Sequence, residues 1–246
     1  MIAMLFSCDR RIAAAAMILC CILWTATGLA LGMSRVHAKT PSDVSQAIWI
    51  DEDESGQQGH RSVGSVVWRT TVFSGTPEPS TPVVTGIDPR EAVPLAEIEV
   101  PDRGVSATWL LRCITDPTFS IPASHLIEIK FKLPKDLADI GIQMIRGVGA
   151  KQTAQSPASI LSGLVVSVGD TWMLALMAKR TDIVRNVRLL KEAKWFETRL
   201  YYNSHSGGAT LLIEKGTSGD RVFAEAFRVW GNRSCTSLTG HGTYRR

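Results

Sequence analysis

The sequence predicts an α+β, strand-rich domain: an antiparallel sheet or sandwich, two late helices packed on one face or end, and an N-terminal transmembrane or signal helix in front. Three observations carry this expectation. Consecutive segments between residues 95 and 133 alternate apolar and polar side chains with period two. Two later segments, 181–196 and 217–231, switch to the helical period. The chain also opens with an uncharged run of 22 residues, Ile12 to Met33.

As a helix, that run spans roughly 33 Å at about 1.5 Å per residue, enough for a hydrocarbon core of about 30 Å. Arg10 and Arg11 precede it and hold its start on the cytoplasmic side. Everything after it is therefore expected outside the cytoplasm. Its length favours an anchor that stays in the inner membrane; Val36-His37-Ala38 offers small residues for cleavage after Ala38 and release into the periplasm. Both outcomes stay open. The expected organisation is a leader at 1–38, a tether at 39–46, a strand-rich exported domain at 47–231 and a polar, disordered tail at 232–246.

Within the domain, "AIWI" (47–50) reads as a brief strand and "DEDESGQQGHR" (51–61) as a polar turn. "VGSVVWRTTVF" (63–73) is rich in β-branched and aromatic residues and reads as a strand. Residues 74–94 hold five prolines and form a loop at a sheet edge, long enough to be functional. Strands follow at 95–100, 105–114 and 124–133. The apolar segments 160–168 and 171–178, split by Gly169-Asp170, read as a buried hairpin. Residues 181–196 repeat Ile183, Val187 and Leu190 at helical spacing, with Thr181 or Asp182 to cap them. A second hairpin pairs 198–203 with 209–215. The last helix, 217–231, sets Phe223, Phe227 and Trp230 on one stripe, with Thr217 or Ser218 as cap and Gly231 as stop.

Composition narrows the chemistry. Residues 39–246 carry 24 Lys and Arg against 22 Asp and Glu, too small an excess for a nucleic-acid partner. Of five cysteines only Cys113 and Cys235 lie past the leader. An oxidising compartment permits a bridge between them; the favoured expectation is a buried thiol at Cys113 and a separate tail thiol at Cys235. Two cysteines alone make no metal site.

The motifs that could carry a reaction are incomplete. Asp51, Asp53, Ser55 and Gly56 begin like a calcium loop, but the twelfth position is Ser62 where a bidentate Glu is needed. "GVGAKQT" (147–153) lacks the spacing of a phosphate loop and reads as a flexible glycine segment. His125 starts a strand on its apolar face and His205 sits in a turn; either could serve as a base beside a carboxylate. No cofactor or metal pattern is legible. Lys179, Arg180, Arg185, Arg188, Lys191 and Lys194 make the 181–196 helix basic, a face that could meet anionic lipid or an envelope polymer.

Four phrases, "VGSVVWRT", "IPASHLIEIKFKLP", "DIVRNVRLLKEAKWFE" and "EKGTSGDRVFAEAF", together resemble a group of uncharacterised exported or membrane-anchored proteins of alphaproteobacteria. That resemblance spans roughly residues 47–231 and implies no activity and no catalytic residues. The order of parts also looks like the invasion-associated locus B family of periplasmic proteins, whose members carry more cysteines than the exported part here. The function expected on all these grounds is a non-catalytic periplasmic or cell-envelope protein, binding through the 74–94 loop or the basic helix. The alternative is a periplasmic hydrolase using His125 or His205.

Overall fold

A computed structural model describes residues 43–72, 92–115, 121–203, 207–231 and 235. The leader, His205 and most of the proline-rich loop lie outside these residues. Among the described residues no helix is long and apolar enough to cross a membrane.

Among those residues, eleven strands and three helices follow in chain order. β1 (Val44–Glu52), β2 (Gln58–Val72), β3 (Ala92–Val100), β4 (Val105–Cys113) and β5 (Ala123–Lys132) come first. α1 (Lys135–Ile140), β6 (Ile142–Lys151), β7 (Ser159–Ile160), β8 (Gly163–Val168) and β9 (Thr171–Met177) follow. α2 (Arg180–Glu192), β10 (Trp195–Tyr202), β11 (Gly208–Glu214) and α3 (Gly216–Trp230) complete the chain. All strand pairs are antiparallel. They form one sheet in the order β7-β6-β10-β11-β1-β2-β3-β4-β5-β9-β8.

Two facts show that this sheet is strongly curled. β7 and β8 are its opposite ends, yet only Leu161 and Ser162 separate them, so the two edges must meet. Trp109 on β4 and Phe196 on β10 stand five strand steps apart, roughly 24 Å along a flat sheet. Their rings nevertheless stack at 5.4 Å. The two halves of the sheet thus face each other across one core, as the layers of a sandwich do. Trp68, Trp109, Phe196 and Phe223 pack there ring against ring, with centroids 5.2 to 6.1 Å apart.

The meeting edges need hydrogen-bond partners, and Asn186 of α2 supplies them. Its side chain is fully buried; Nδ2 donates to the Ser162 carbonyl at 2.8 Å, and Oδ1 accepts from the Ser162 N–H at 2.9 Å. The carbonyl also accepts from the Met177 N–H at 3.1 Å, so it is the Ser162 N–H that depends on Asn186; a backbone group left unpaired there would cost about 1–3 kcal/mol at full burial. α3 lies against β1, β2 and β3 and buries Val222, Phe223, Ala226, Phe227 and Trp230, the stripe its spacing predicts.

Several boundaries differ from the sequence expectation. β1 starts at Val44, inside the stretch read as a tether. β3 takes in Val93 and Pro94, and Pro94 pairs opposite Thr70. α2 ends at Glu192, and Trp195 and Phe196 open β10 instead of closing the helix. The reason is a backbone bond from Lys194 N to Lys151 O, which draws the chain into the sheet. Neither α2 nor α3 has a side-chain cap; Asp220 is engaged with Lys194 and Lys215.

Residues 147–151, the first part of the 147–153 stretch read as a flexible glycine segment, belong to β6, which lies between β7 and β10. Its glycines hide the strand pattern, and one of them has a packing reason. A Cβ on Gly149 would sit 2.6 Å from the Ala158 Cβ, so only glycine lets the 152–158 loop fold down on the strand.

Cys113 and Cys235 form a disulfide. Where free thiols were favoured, the tail position proves to be joined to the core. The helical stripe lays α3 across the sheet with Trp230 buried, and so delivers the chain five residues later to the end of β4.

Candidate functional site

A cleft of about 1050 Å³ lies on the outward face of β1, β2, β6, β10 and β11, under the 152–158 loop. Strand alternation builds it. Phe196 and Leu200 point into the core, so Glu197 and Arg199 between them point out. Trp49 likewise points in, and Ile48 and Ile50 face the cleft. Register then lines these positions up across the sheet. Arg199 on β10 is opposite Thr210 on β11, Thr210 opposite Ile50 on β1, and Ile50 opposite Arg61 on β2. At the β6 end a bulge faces Arg199 and brings Arg146 to the same row.

The floor is apolar: Ile48, Ile50 and Leu212, packed with Ala154 and Trp195. Its polar lining is strongly one-sided. Arg61, Arg146, Lys151 and Arg199 face a single carboxylate, Glu197, among the described lining residues. Glu197 is buried and shared: Lys151 Nζ donates to Oε2 at 2.8 Å and Arg199 Nε to Oε1 at 3.0 Å. Arg146 stacks 5.9 Å over the Tyr201 ring. A second carboxylate, Glu52, stands beside the row and accepts from Thr210 Oγ1 at 2.6 Å; two carboxylates against four cations still leave the cleft a positive excess. Low-dielectric walls focus such a field on an incoming anion. The overhanging loop is held by Ser156, whose Oγ accepts from the N–H groups of Gln152 and Thr153, both at 3.1 Å.

The residues singled out from sequence fall elsewhere. Ser124 and His125 lie closer than strand alternation allows, with Oγ 3.1 Å from Nδ1, because a bulge between Ala123 and His125 breaks the pairing with β9. Both are sealed from solvent, at 0% and 3% exposure. His125 packs against Phe227 and Trp230, and its Nε2 has no partner among the described residues. Burial pushes its pKa down to about 4.

The folded state therefore holds His125 neutral, whereas the unfolded chain protonates it near pH 6.5. This contribution to stability is complete above pH 6.5 and is lost as pH falls toward 4, by up to about 3 kcal/mol. We expect the urea midpoint of a His125→Leu variant to change less between pH 6.5 and 4.5 than that of wild type. Equal pH slopes would show that His125 is not the group responsible.

The basic helix is partly occupied within the molecule. Arg185 donates to the Ile160 carbonyl at 2.8 Å, Lys191 stands 5.1 Å over the Phe227 ring, and Lys194 pairs with Asp220 at 2.8 Å. Lys179, Arg180 and Arg188 are exposed. In the acidic turn, Asp53 Oδ1 accepts from the N–H groups of Ser55 and Gln57, while Asp51 accepts from Trp49 and Arg103. Those two carboxylates serve different partners, and no cluster able to hold a metal occurs among the described residues.

Sequence reasoning passed over Arg61, Arg146 and Arg199, and set Lys151 aside with the incomplete phosphate-loop spacing of 147–153, because the four sit on three separate strands. The local signal available was the alternation of Glu197, Arg199 and Tyr201 against Phe196, Leu200 and Tyr202. Compared with protein-family models, curated proteins and solved structures, the chain matches none.

Proposed function

We propose that this is a non-catalytic cell-envelope protein, delivered past the inner membrane by residues 12–33, that binds an anionic ligand in the outer cleft of its curled sheet. The observation that carries the reading is the four-to-one excess of cationic over carboxylate side chains among the described lining residues of one cleft. A disulfide between Cys113 and Cys235 fits an oxidising compartment and supports the export half. The burial of Ser124 and His125 leaves no route for a substrate to that pair, which favours binding over hydrolysis.

Titration with citrate, followed by backbone amide NMR, tests the site. The expected shifts concentrate in residues 48–61, 146–158 and 197–212. Shifts centred on residues 179–194 would move the site to the basic helix and overturn the reading. Export has its own test: alkaline phosphatase fused after residue 42 should be active, and an inactive fusion made in normal amounts would count against delivery across the membrane.

A further inference from the structure

Resting on that reading, we infer that the cleft's ligand is an acidic polysaccharide: a hydroxyl-rich chain carrying repeated carboxylate or sulfate groups. Four features of the cleft converge on this class. The first is spacing. Arg199 and Arg61 end a row of four neighbouring strands, so their backbones stand about 14 Å apart, three steps of about 4.8 Å. One small anion could engage both ends only by drawing the two side chains together, whereas a chain with repeated charges meets each arginine with its own acid group. Guanidinium forks match carboxylate and sulfate oxygens two at a time.

Neutral groups supply the second feature. Gln58 and Gln155 line the cleft along with the cations. Amides both donate and accept, which suits sugar hydroxyls.

The third feature separates this ligand from single-stranded nucleic acid, which needs aromatic faces for its bases to stack on. Among the described lining residues none is aromatic; of the two aromatic neighbours, Trp195 packs with the apolar floor residues and the Tyr201 ring is covered by Arg146. The fourth separates it from a lipid. Ile48, Ile50 and Leu212 expose only 1%, 8% and 4% of their surfaces, and the exposed large apolar side chain of the lining, Ile160, stands apart on the short edge strand β7, so the floor offers no slot for an acyl chain.

Glu197 gives the site an internal competitor. It already answers Lys151 and Arg199, so ligand anions compete with it for Arg199. Affinity is thereby held down, and removal of this carboxylate should raise it.

The test measures binding of oligogalacturonates of increasing length, and of sulfated dextran oligomers, to the full chain by calorimetry. Affinity should rise with length until the chain spans the arginine row, then level off, and should fall with added salt. Neutral dextran should not bind. The double variant Arg61→Gln, Arg199→Gln should weaken binding at least tenfold, while Glu197→Gln should strengthen it several-fold. Both arginines are exposed, so an unchanged urea midpoint in the double variant verifies that it folds. Tighter binding of the sulfated or the carboxylated series identifies the acid group, and either result supports the inference. Monomeric galacturonate binding as tightly as the longest oligomer would overturn it. So would stronger, Arg61- and Arg199-dependent binding of oligothymidylate or of anionic lipid vesicles, which would leave the anion cleft standing but with another ligand. Unchanged binding of every probe by the double variant would overturn the cleft reading itself.

Discussion

Cys235→Ser, or full reduction of the protein, is expected to lower the stability of the folded domain by about 2–5 kcal/mol, the upper figure being the chain-entropy limit for a loop of this length. The bridge closes 122 residues of sequence, which take in β5 to β11 and all three helices, seven of the eleven strands. Breaking it gives the unfolded chain back the conformations that closure removed. There is a local consequence too. Cys113 ends β4 at 2% exposure, and the bridge holds the chain just past Trp230 against that strand end. Once released, the last turn of α3 keeps its place through the packing of Phe227 and Trp230 on His125 and the core, and through Lys191 over the Phe227 ring. The measurement is urea denaturation with and without reductant, alongside the variant. The midpoint should fall and the denaturant slope should rise, because an uncrosslinked unfolded chain exposes more surface. Non-reducing gels should separate wild type from Cys235→Ser. Identical midpoints and identical mobilities would show that the bridge does not form.

Lys215→Met should cost about 3–5 kcal/mol, whereas Lys194→Ala, a few ångströms away, should cost less than about 1 kcal/mol. Both lysines pair with Asp220. Their environments set them apart: the Lys194 side chain is 53% exposed and that of Lys215 is 1% exposed. Lys215 Nζ has three N–H groups and three acceptors: the Leu190 carbonyl at 3.2 Å, the Lys191 carbonyl at 2.8 Å and Asp220 Oδ1 at 3.1 Å. It also stands 4.6 Å over the Phe223 ring. Burial pulls its pKa below the usual lysine range, and Asp220 opposes that shift. The ammonium therefore caps the negative end of α2 from the first residue before α3, and joins the two helices. Methionine fills the same volume but leaves two helix carbonyls without this donor. Thermal or urea unfolding of the two variants side by side decides the matter; equal losses would show that burial of Lys215 contributes nothing special.

Alternation in 95–100, 105–114 and 124–133 was enough to place β3, β4 and β5 to within a few residues, because each has one face in the core and one facing out. The stripe of Phe223, Phe227 and Trp230 marked α3 for the same reason. β6 was not legible. Its glycines and exposed Met144 and Arg146 look like a loop, and only the neighbouring β10 and the overlying loop make it a strand. The end of α2 was hidden by Trp195 and Phe196, which extend the helical pattern while belonging to β10.

None of the cleft was visible as a site. Arg61, Arg146 and Arg199 are ordinary surface arginines in sequence, and a one-residue change in any strand's register would scatter them. The sequence by itself determined that 95–100, 105–114 and 124–133 run as strands with one face inward, which stripe α3 buries and that the first 38 residues differ in composition from the rest. Those are local matters, decided by side chains within a few residues of one another. The closure of the sheet, the Cys113–Cys235 bridge and the row of arginines over an apolar floor were decided only in three dimensions. Each depends on which distant strands become neighbours, and hydrophobic alternation assigns a residue to a face without saying what will stand beside it.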